Sequence, residues 1–252
     1  MMGAVLAVNS MKSAFINNCS KIIQSMVFPS QCVLCGAEAT EEYDLCRACR
    51  TELPYLSITC QCCALPLQMA GTCGRCLQHV PSFDRAYGIF HYAQPLDFLI
   101  QRLKFNKKLS YARLLGSLMA EELFKRYVAA AQPLPGVIIP VPLHTSRLRE
   151  RGYNQALEIA RPIARRLEIP IDHRCAARTR ETATQSELPA KFRRHNVKGA
   201  FKITGLQANH VAIIDDVMTT GYTAEEFASE VRRAGVKKID IWTCARASMA
   251  RA

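Results

Sequence analysis

Apolar residues along the chain fall into two patterns, helix-period stripes and short unbroken runs, and their alternation predicts an α/β fold. Phe15, Ile16, Cys19, Ile22, Ile23, Met26 and Val27 form a stripe over residues 11–28, the spacing of an amphipathic helix. Residues 86–92 read as a strand. Residues 96–105 (LDFLIQRLKF) read as a helix that ends among Lys104, Lys107 and Lys108, and residues 111–128 as a second one. A buried strand follows over 137–141, then a helix through Leu167 in which Pro162 predicts a kink or an early end. Phe201–Ile203 is a short strand with a turn at Gly205. Residues 211–214 are apolar without interruption, which suits a strand covered on both faces, as in a parallel sheet. Thr223 and Glu226 read as a capping box opening the next helix. Phe227, Val231 and Ala234 give that helix its apolar face, Gly235 its stop, and residues 238–245 a last strand.

Composition narrows the class. The chain has 252 residues, 49% of them hydrophobic, enough to bury a core. No apolar run approaches the ~18 residues that span a bilayer. The first thirty residues lack the order of a secretory signal. The expected location is the cytoplasm, with the inner face of the membrane as a peripheral site for the first helix. Thirty-three basic against 21 acidic residues leave a net charge of +12, which points to anionic partners. Two tetrathiolate zinc sites, each about −2, would lower that figure to roughly +8.

Eight of the 12 cysteines form four C-x-x-C pairs before residue 77. Cys32/Cys35 and Cys46/Cys49 are ten residues apart, and Cys60/Cys63 and Cys73/Cys76 are nine apart. Zinc takes four soft ligands in a tetrahedron, and each knuckle offers two from one tight turn. Two structural Zn²⁺ sites are therefore expected, with Cys62 a bystander. An iron–sulfur cluster, pairing interleaved between the quartets and redox-active thiols remain as alternatives. So small a block builds little core, and metal is expected to fold it. Three regions result: an amphipathic helix over 1–29, a double C-x-x-C module over 30–80, and an α/β domain over 81–252.

The chemistry concentrates in residues 210–226, HVAIIDDVMTTGYTAEE. An apolar strand runs into Asp215 and Asp216, at the carboxyl end where open α/β sheets place ligands. Two adjacent acids suit the neighbouring hydroxyls of a sugar, or a divalent cation. The turn Thr219-Thr220-Gly221 and Thr223 then bring hydroxyls to a helix N-terminus, whose N–H groups and dipole favour an anion. A second turn of this kind follows the 137–141 strand: Pro142, Leu143 and His144, then Arg147, Arg149 and Arg151 before a new helix start. Residues 174–199 are polar, basic and without apolar periodicity, as functional lids often are.

The 210–226 stretch closely resembles the phosphoribosyl diphosphate (PRPP) motif of type I phosphoribosyltransferases. The order of Y-x-x-P-L…LKF, PVPLH…RERGYNQA, RTRET-x-x-Q-x-x-L…R-x-x-N-x-x-GAF and IIDDV-x-TTG-x-T behind a multi-cysteine finger resembles the ComF family, over about residues 30–246. The resemblance implies a type I phosphoribosyltransferase-like parallel sheet with flanking helices, behind a small zinc module. It places the ribose hydroxyls and the catalytic role on Asp215 and Asp216. It gives the 5-phosphate cradle to Val217, Met218, Thr219, Thr220, Gly221, Tyr222 and Thr223. Pyrophosphate falls to Pro142, Leu143, His144, Arg147 and Arg151, and the lid to Gln185, Arg193, Arg194 and Asn196. Tyr222 departs from the pattern, where a small residue is common. The implied ligand is PRPP or a related nucleotide with Mg²⁺. The implied partners are single-stranded DNA and proteins of DNA uptake, such as a helicase or a recombination mediator. Two functions follow: a phosphoribosyl transfer whose acceptor no motif identifies, or a non-catalytic nucleotide- or DNA-binding module.

Overall fold

The structure is a computed structural model that describes residues 30–181 and 197–248. The predicted first helix and the lid positions Gln185, Arg193, Arg194 and Asn196 lie outside those residues. The chain divides into two compact units at the Leu53–Pro54 bond. The division falls between the two cysteine quartets, inside the stretch that the sequence groups as one module.

In the first unit the chain turns on itself at Cys32, whose N–H reaches the Ala37 carbonyl at 2.7 Å. Cys46 caps the short helix α1 (Arg47–Thr51), its Sγ accepting from the Cys49 N–H at 3.4 Å. The Arg50 guanidinium lies 4.4 Å from the Tyr43 ring centroid. Cys32, Tyr43, Leu45 and Leu53 are its buried apolar residues, too few to hold a fold without metal.

The second unit opens with the second cysteine hairpin and the short helix α2 (Gly74–Gln78). There follow β1 (Arg85–His91), α3 (Leu96–Phe105), α4 (Leu109–Ala129), β2 (Val137–Pro140), α5 (Thr145–Arg151) and α6 (Gln155–Leu167). After β3 (Ala176–Arg178) and β4 (Phe201–Ile203) come β5 (His210–Met218), α7 (Tyr222–Arg233) and β6 (Lys238–Arg246). The main sheet has the order β1-β6-β5-β2 with every pair parallel. Its central strands are buried on both faces, Ile213 opposite Ile241 on one side and Ile139 on the other, as unbroken apolar runs require. The expected parallel sheet with flanking helices, behind a cysteine-rich module, is therefore present. β3 and β4 make a separate antiparallel pair. β3 lies in the polar stretch that showed no periodicity, because three residues are too few to carry a pattern.

The second hairpin is part of this unit's core. Cys60, Cys63, Cys73 and Cys76 cluster with Phe83, Val141, Met218 and Ile241. The Cys62 carbonyl accepts from the Ala86 N–H at 2.7 Å, and the Leu56 N–H donates to Ile89 at 2.9 Å, so the hairpin is tied to strand β1.

Of the two outcomes expected at Pro162 the early end does not occur, and one further local expectation fails. α6 continues through Pro162 to Leu167, packed on α4 where Gly116 has no side chain. A Cβ at Gly116 would stand 2.3 Å from Pro162 Cγ and 2.4 Å from the Ile159 carbonyl oxygen, so close backbone contact supports the proline-bearing helix. The capping box at Thr223 does not form. α7 begins two residues earlier, after Gly221 in the left-handed region (φ +80°), and Glu226 instead accepts from the Gly199 N–H at 2.6 Å. A long-range partner outcompeted the local one.

Candidate functional site

Each quartet has its four sulfurs within 4.8 Å of one another. Cys35 and Cys46 approach to 3.7 Å, as do Cys63 and Cys73. Tetrahedral zinc with Zn–S of about 2.3 Å needs sulfurs about 3.8 Å apart, so both quartets fit the ion. Their protonation fits as well. Burial raises the Cys32 and Cys60 thiols, but backbone N–H groups outweigh it and lower each to about 6. Cys49 and Cys76 are driven up by burial and by the sulfurs around them. Four thiols that resist ionising together are what a divalent cation relieves. Pairing is within each quartet, as expected, and not interleaved.

The second centre stands at the carboxyl ends of β5 and β2, which are neighbours, so the loops leaving them lie side by side. Asp216 is 3% exposed. Its Oδ2 meets Lys104 Nζ of α3 at 2.5 Å, and its Oδ1 accepts from Gln155 Nε2 of α6 at 3.5 Å. Burial alone would raise this carboxyl, but the Lys104 ammonium holds it below the usual range. Asp215 has the opposite fate: burial and the Asp216 charge push it well above. The two acids are thus unequal: Asp216 is held toward its charged form by Lys104, and Asp215 toward its neutral form. Lys104, itself penalised by burial, is held protonated by Asp216.

Asp215, Met218, Thr219, Gly221, Thr223 and Ala224 line a small cleft. Gly221 is required by its φ of +80°, in the left-handed region. Thr220 Oγ1 is buried without a hydrogen-bond partner. The loop's carbonyls are gripped from behind: Thr220 by Arg75, and Met218 and Thr219 by Arg246.

The β2 loop reaches the same place by a relay. Arg151 donates to Gln155 Oε1 at 2.5 Å, and Gln155 leads on to Asp216. Arg147 and Asp215 are both close enough to act on the Arg178 guanidinium, which burial lowers. His144 caps α5 by accepting from the Ser146 N–H, and Ser146 Oγ donates to Glu181 at 2.6 Å. Asn154 caps α6 and donates to the Val141 carbonyl at 3.0 Å, anchoring the far end of the loop. Asp215, Asp216, Arg147 and Arg151 therefore converge, while Pro142 is buried at the base of the loop.

Sequence reasoning missed Lys104, Gln155, Arg75 and Arg246. Lys104 had a visible signal. It stands four residues after buried Ile100 and directly after buried Leu103, on the apolar side of α3, where a lysine needs a partner. The other three are set by packing between distant segments and had none.

Comparison with known proteins agrees with this geometry. Residues 23–77 match the double zinc ribbon domain family. The chain is 37% identical to competence protein F of Haemophilus influenzae, over 87% of this chain and 98% of that one. It is 35% identical to the DNA utilization protein YhgH of Escherichia coli O157:H7, over 88% and 99%. Among solved structures it is similar to UMP synthase of Leishmania donovani, at 20% identity and a TM-score of 0.31, over 57% of this chain and 22% of that one. Adenine phosphoribosyltransferase of the same organism matches at 18% identity and a TM-score of 0.25, over 49% and 62%. Overlaps so partial carry no weight for function. Near-complete coverage by relatives above 30% identity places this chain in the ComF family.

Proposed function

We propose that the second unit binds phosphoribosyl diphosphate, or a nucleotide with the same ribose-phosphate end, and that the chain serves the use of external DNA, the process for which its relatives are named. One observation carries the reading. An acid pair, Asp216 buried against Lys104 and Asp215 half-buried beside it, runs directly into a hydroxyl-rich loop at a helix N-terminus, beside a second loop rich in arginine. The acids then hold the ribose diol: ionised Asp216 accepts from a hydroxyl, while Asp215, held toward its neutral form, can donate. Thr219–Thr223 receive the 5-phosphate, and Arg147 and Arg151 the diphosphate.

The acid pair is a poor site for Mg²⁺ alone, since Lys104 already neutralises Asp216 and Asp215 resists ionisation. Mg²⁺ carried by the diphosphate would neutralise charge on the leaving group, with Arg147 and Arg151 holding that end of the ligand. In transfer, the C1–oxygen bond breaks and its electron pair leaves with pyrophosphate. The nucleophile's lone pair forms the new bond to C1, and its proton passes to solvent or to a base on the acceptor. Positioning and arginine charge provide the stabilisation.

Calorimetry with PRPP, with and without Mg²⁺, tests this on wild type and on Asp215→Asn/Asp216→Asn. Binding by wild type and its loss in the double variant are expected. A wild type with neither heat nor thermal shift overturns the reading. Pyrophosphate release against a panel of bases then separates an enzyme from a binder.

A second reading, binding of single-stranded DNA without turnover, is favoured by the net charge of +12. In either case a reducing compartment suits eight thiol ligands, which supports the cytoplasm. Among the described residues no helix is long and apolar enough to cross a membrane.

A further inference from the structure

The second cysteine hairpin and the phosphate loop are far apart in sequence yet share two arginines. Arg75 lies inside the last knuckle, between Cys73 and Cys76, and donates to the Thr220 carbonyl. Its guanidinium also stands 5.1 Å from the Tyr222 ring centroid, a cation–π distance. Arg246, at the end of β6 and 1% exposed, donates from Nη1 to the Met218 carbonyl at 2.9 Å and to that of Thr219. From Nε it reaches the Cys63 carbonyl in the first knuckle at 3.1 Å. Three successive carbonyls of the loop are thus held by arginine.

A trans peptide points its C=O and its following N–H in opposite directions. Gripping the carbonyls of Thr219 and Thr220 therefore turns the N–H groups of Thr220 and Gly221 away from the arginines, toward the opposite edge of the loop. A cation on the carbonyl side also polarises each peptide, strengthening its N–H as a donor to an anion. Two guanidiniums packed against one loop, Arg246 buried and Arg75 half-buried, need counter-charge. The Cys60, Cys63, Cys73 and Cys76 thiols of the same hairpin would supply it, since zinc held by four thiolates would carry about −2.

We infer that Arg75 and Arg246 are positioning residues of the phosphate loop, and that the second cysteine hairpin is part of the anion site, fixing the loop's N–H edge toward its ligand and supplying the arginines' counter-charge. Tyr222, the departure from the family pattern, then has a use as the stacking face for Arg75. The inference takes its ligand from the PRPP reading, but the grip on the loop does not depend on it.

The test is amide hydrogen exchange of the 218–223 loop in the full-length, zinc-loaded chain, alongside PRPP calorimetry. It compares wild type, Arg75→Ala, Arg75→Lys and Tyr222→Leu. Losing one charged hydrogen bond should raise loop exchange about tenfold and weaken PRPP about tenfold in Arg75→Ala, with zinc content unchanged. Arg75→Lys, which keeps a charged donor, should recover part of both, and Tyr222→Leu should show a smaller loss. Loop exchange in Arg75→Ala at the wild-type rate overturns the inference, as does a rise spread evenly over the chain. If wild type binds no PRPP, the proposed ligand falls, while loop exchange still decides the clamp.

Discussion

Lys104 and Asp216 face each other at 2.5 Å at the proposed ribose site, and Asp215 stands beside them held toward its neutral form. The two acids should therefore respond to substitution in opposite senses. Asp216→Asn strips a buried ammonium of its partner and should cost about 3 kcal/mol in chemical denaturation. The pair's contribution is present above the unfolded carboxyl value of about 4 and lost only as pH falls through the lower folded value, so it is flat near neutrality. Asp215 works the other way. Its raised folded-state value means that the folded chain keeps a proton the unfolded chain gives up, so stability falls as pH rises above about 4. Asp215→Asn should melt above wild type at pH 8 and converge with it toward about pH 4, while losing the ligand. A melting point below wild type at pH 8 would contradict that assignment. Titration of Mg²⁺ into the unliganded chain should give no heat. Both carboxylates were legible as a motif, but their inequality was not, because it comes from a lysine over a hundred positions upstream.

At the level of elements, helix packing decided what local rules left open. α6 carries Pro162 without ending, because α4 presents Gly116 to it at backbone distance. Gly116→Ala should be more costly than an ordinary helix glycine replacement, which would stabilise. Overpacking against Pro162 should instead lose about 3 kcal/mol, read from the urea midpoint at unchanged slope. A stabilising alanine would mean that the two helices can separate at little cost. The apolar runs at 137–141 and 211–214 were readable as buried strands because both their faces are covered, which leaves no alternation to misread. β3 and the true start of α7 were not readable. One is three residues long, and the other turns on Glu226 choosing the Gly199 N–H over its own helix.

For the whole molecule, the division at Leu53–Pro54 gives the two quartets different expected roles. Metal analysis of wild type under reducing conditions should find about two zinc ions per chain. Cys32→Ser/Cys35→Ser should lose one of them and leave thermal unfolding of the second unit unchanged. Cys63→Ser/Cys76→Ser should lose the other and lower that transition, since these thiols belong to its core. Equal effects of the two would refute the distinction. If DNA is bound, its affinity should fall steeply with salt, with a log–log slope beyond about −2, and a slope near zero would exclude backbone contacts. The sequence by itself determined the ligand-bearing pieces: four knuckles, an acid pair on a buried strand, a TTG turn and an arginine turn. Those depend on spacing within a few residues, which local geometry dictates. Only the tertiary structure decided which acid is paired with a lysine, which quartet joins the core of the sheet, and that Arg75 and Arg246, distant in sequence, grip the carbonyls of residues 218–220. Those contacts form where separate segments are brought together, and no local periodicity encodes them.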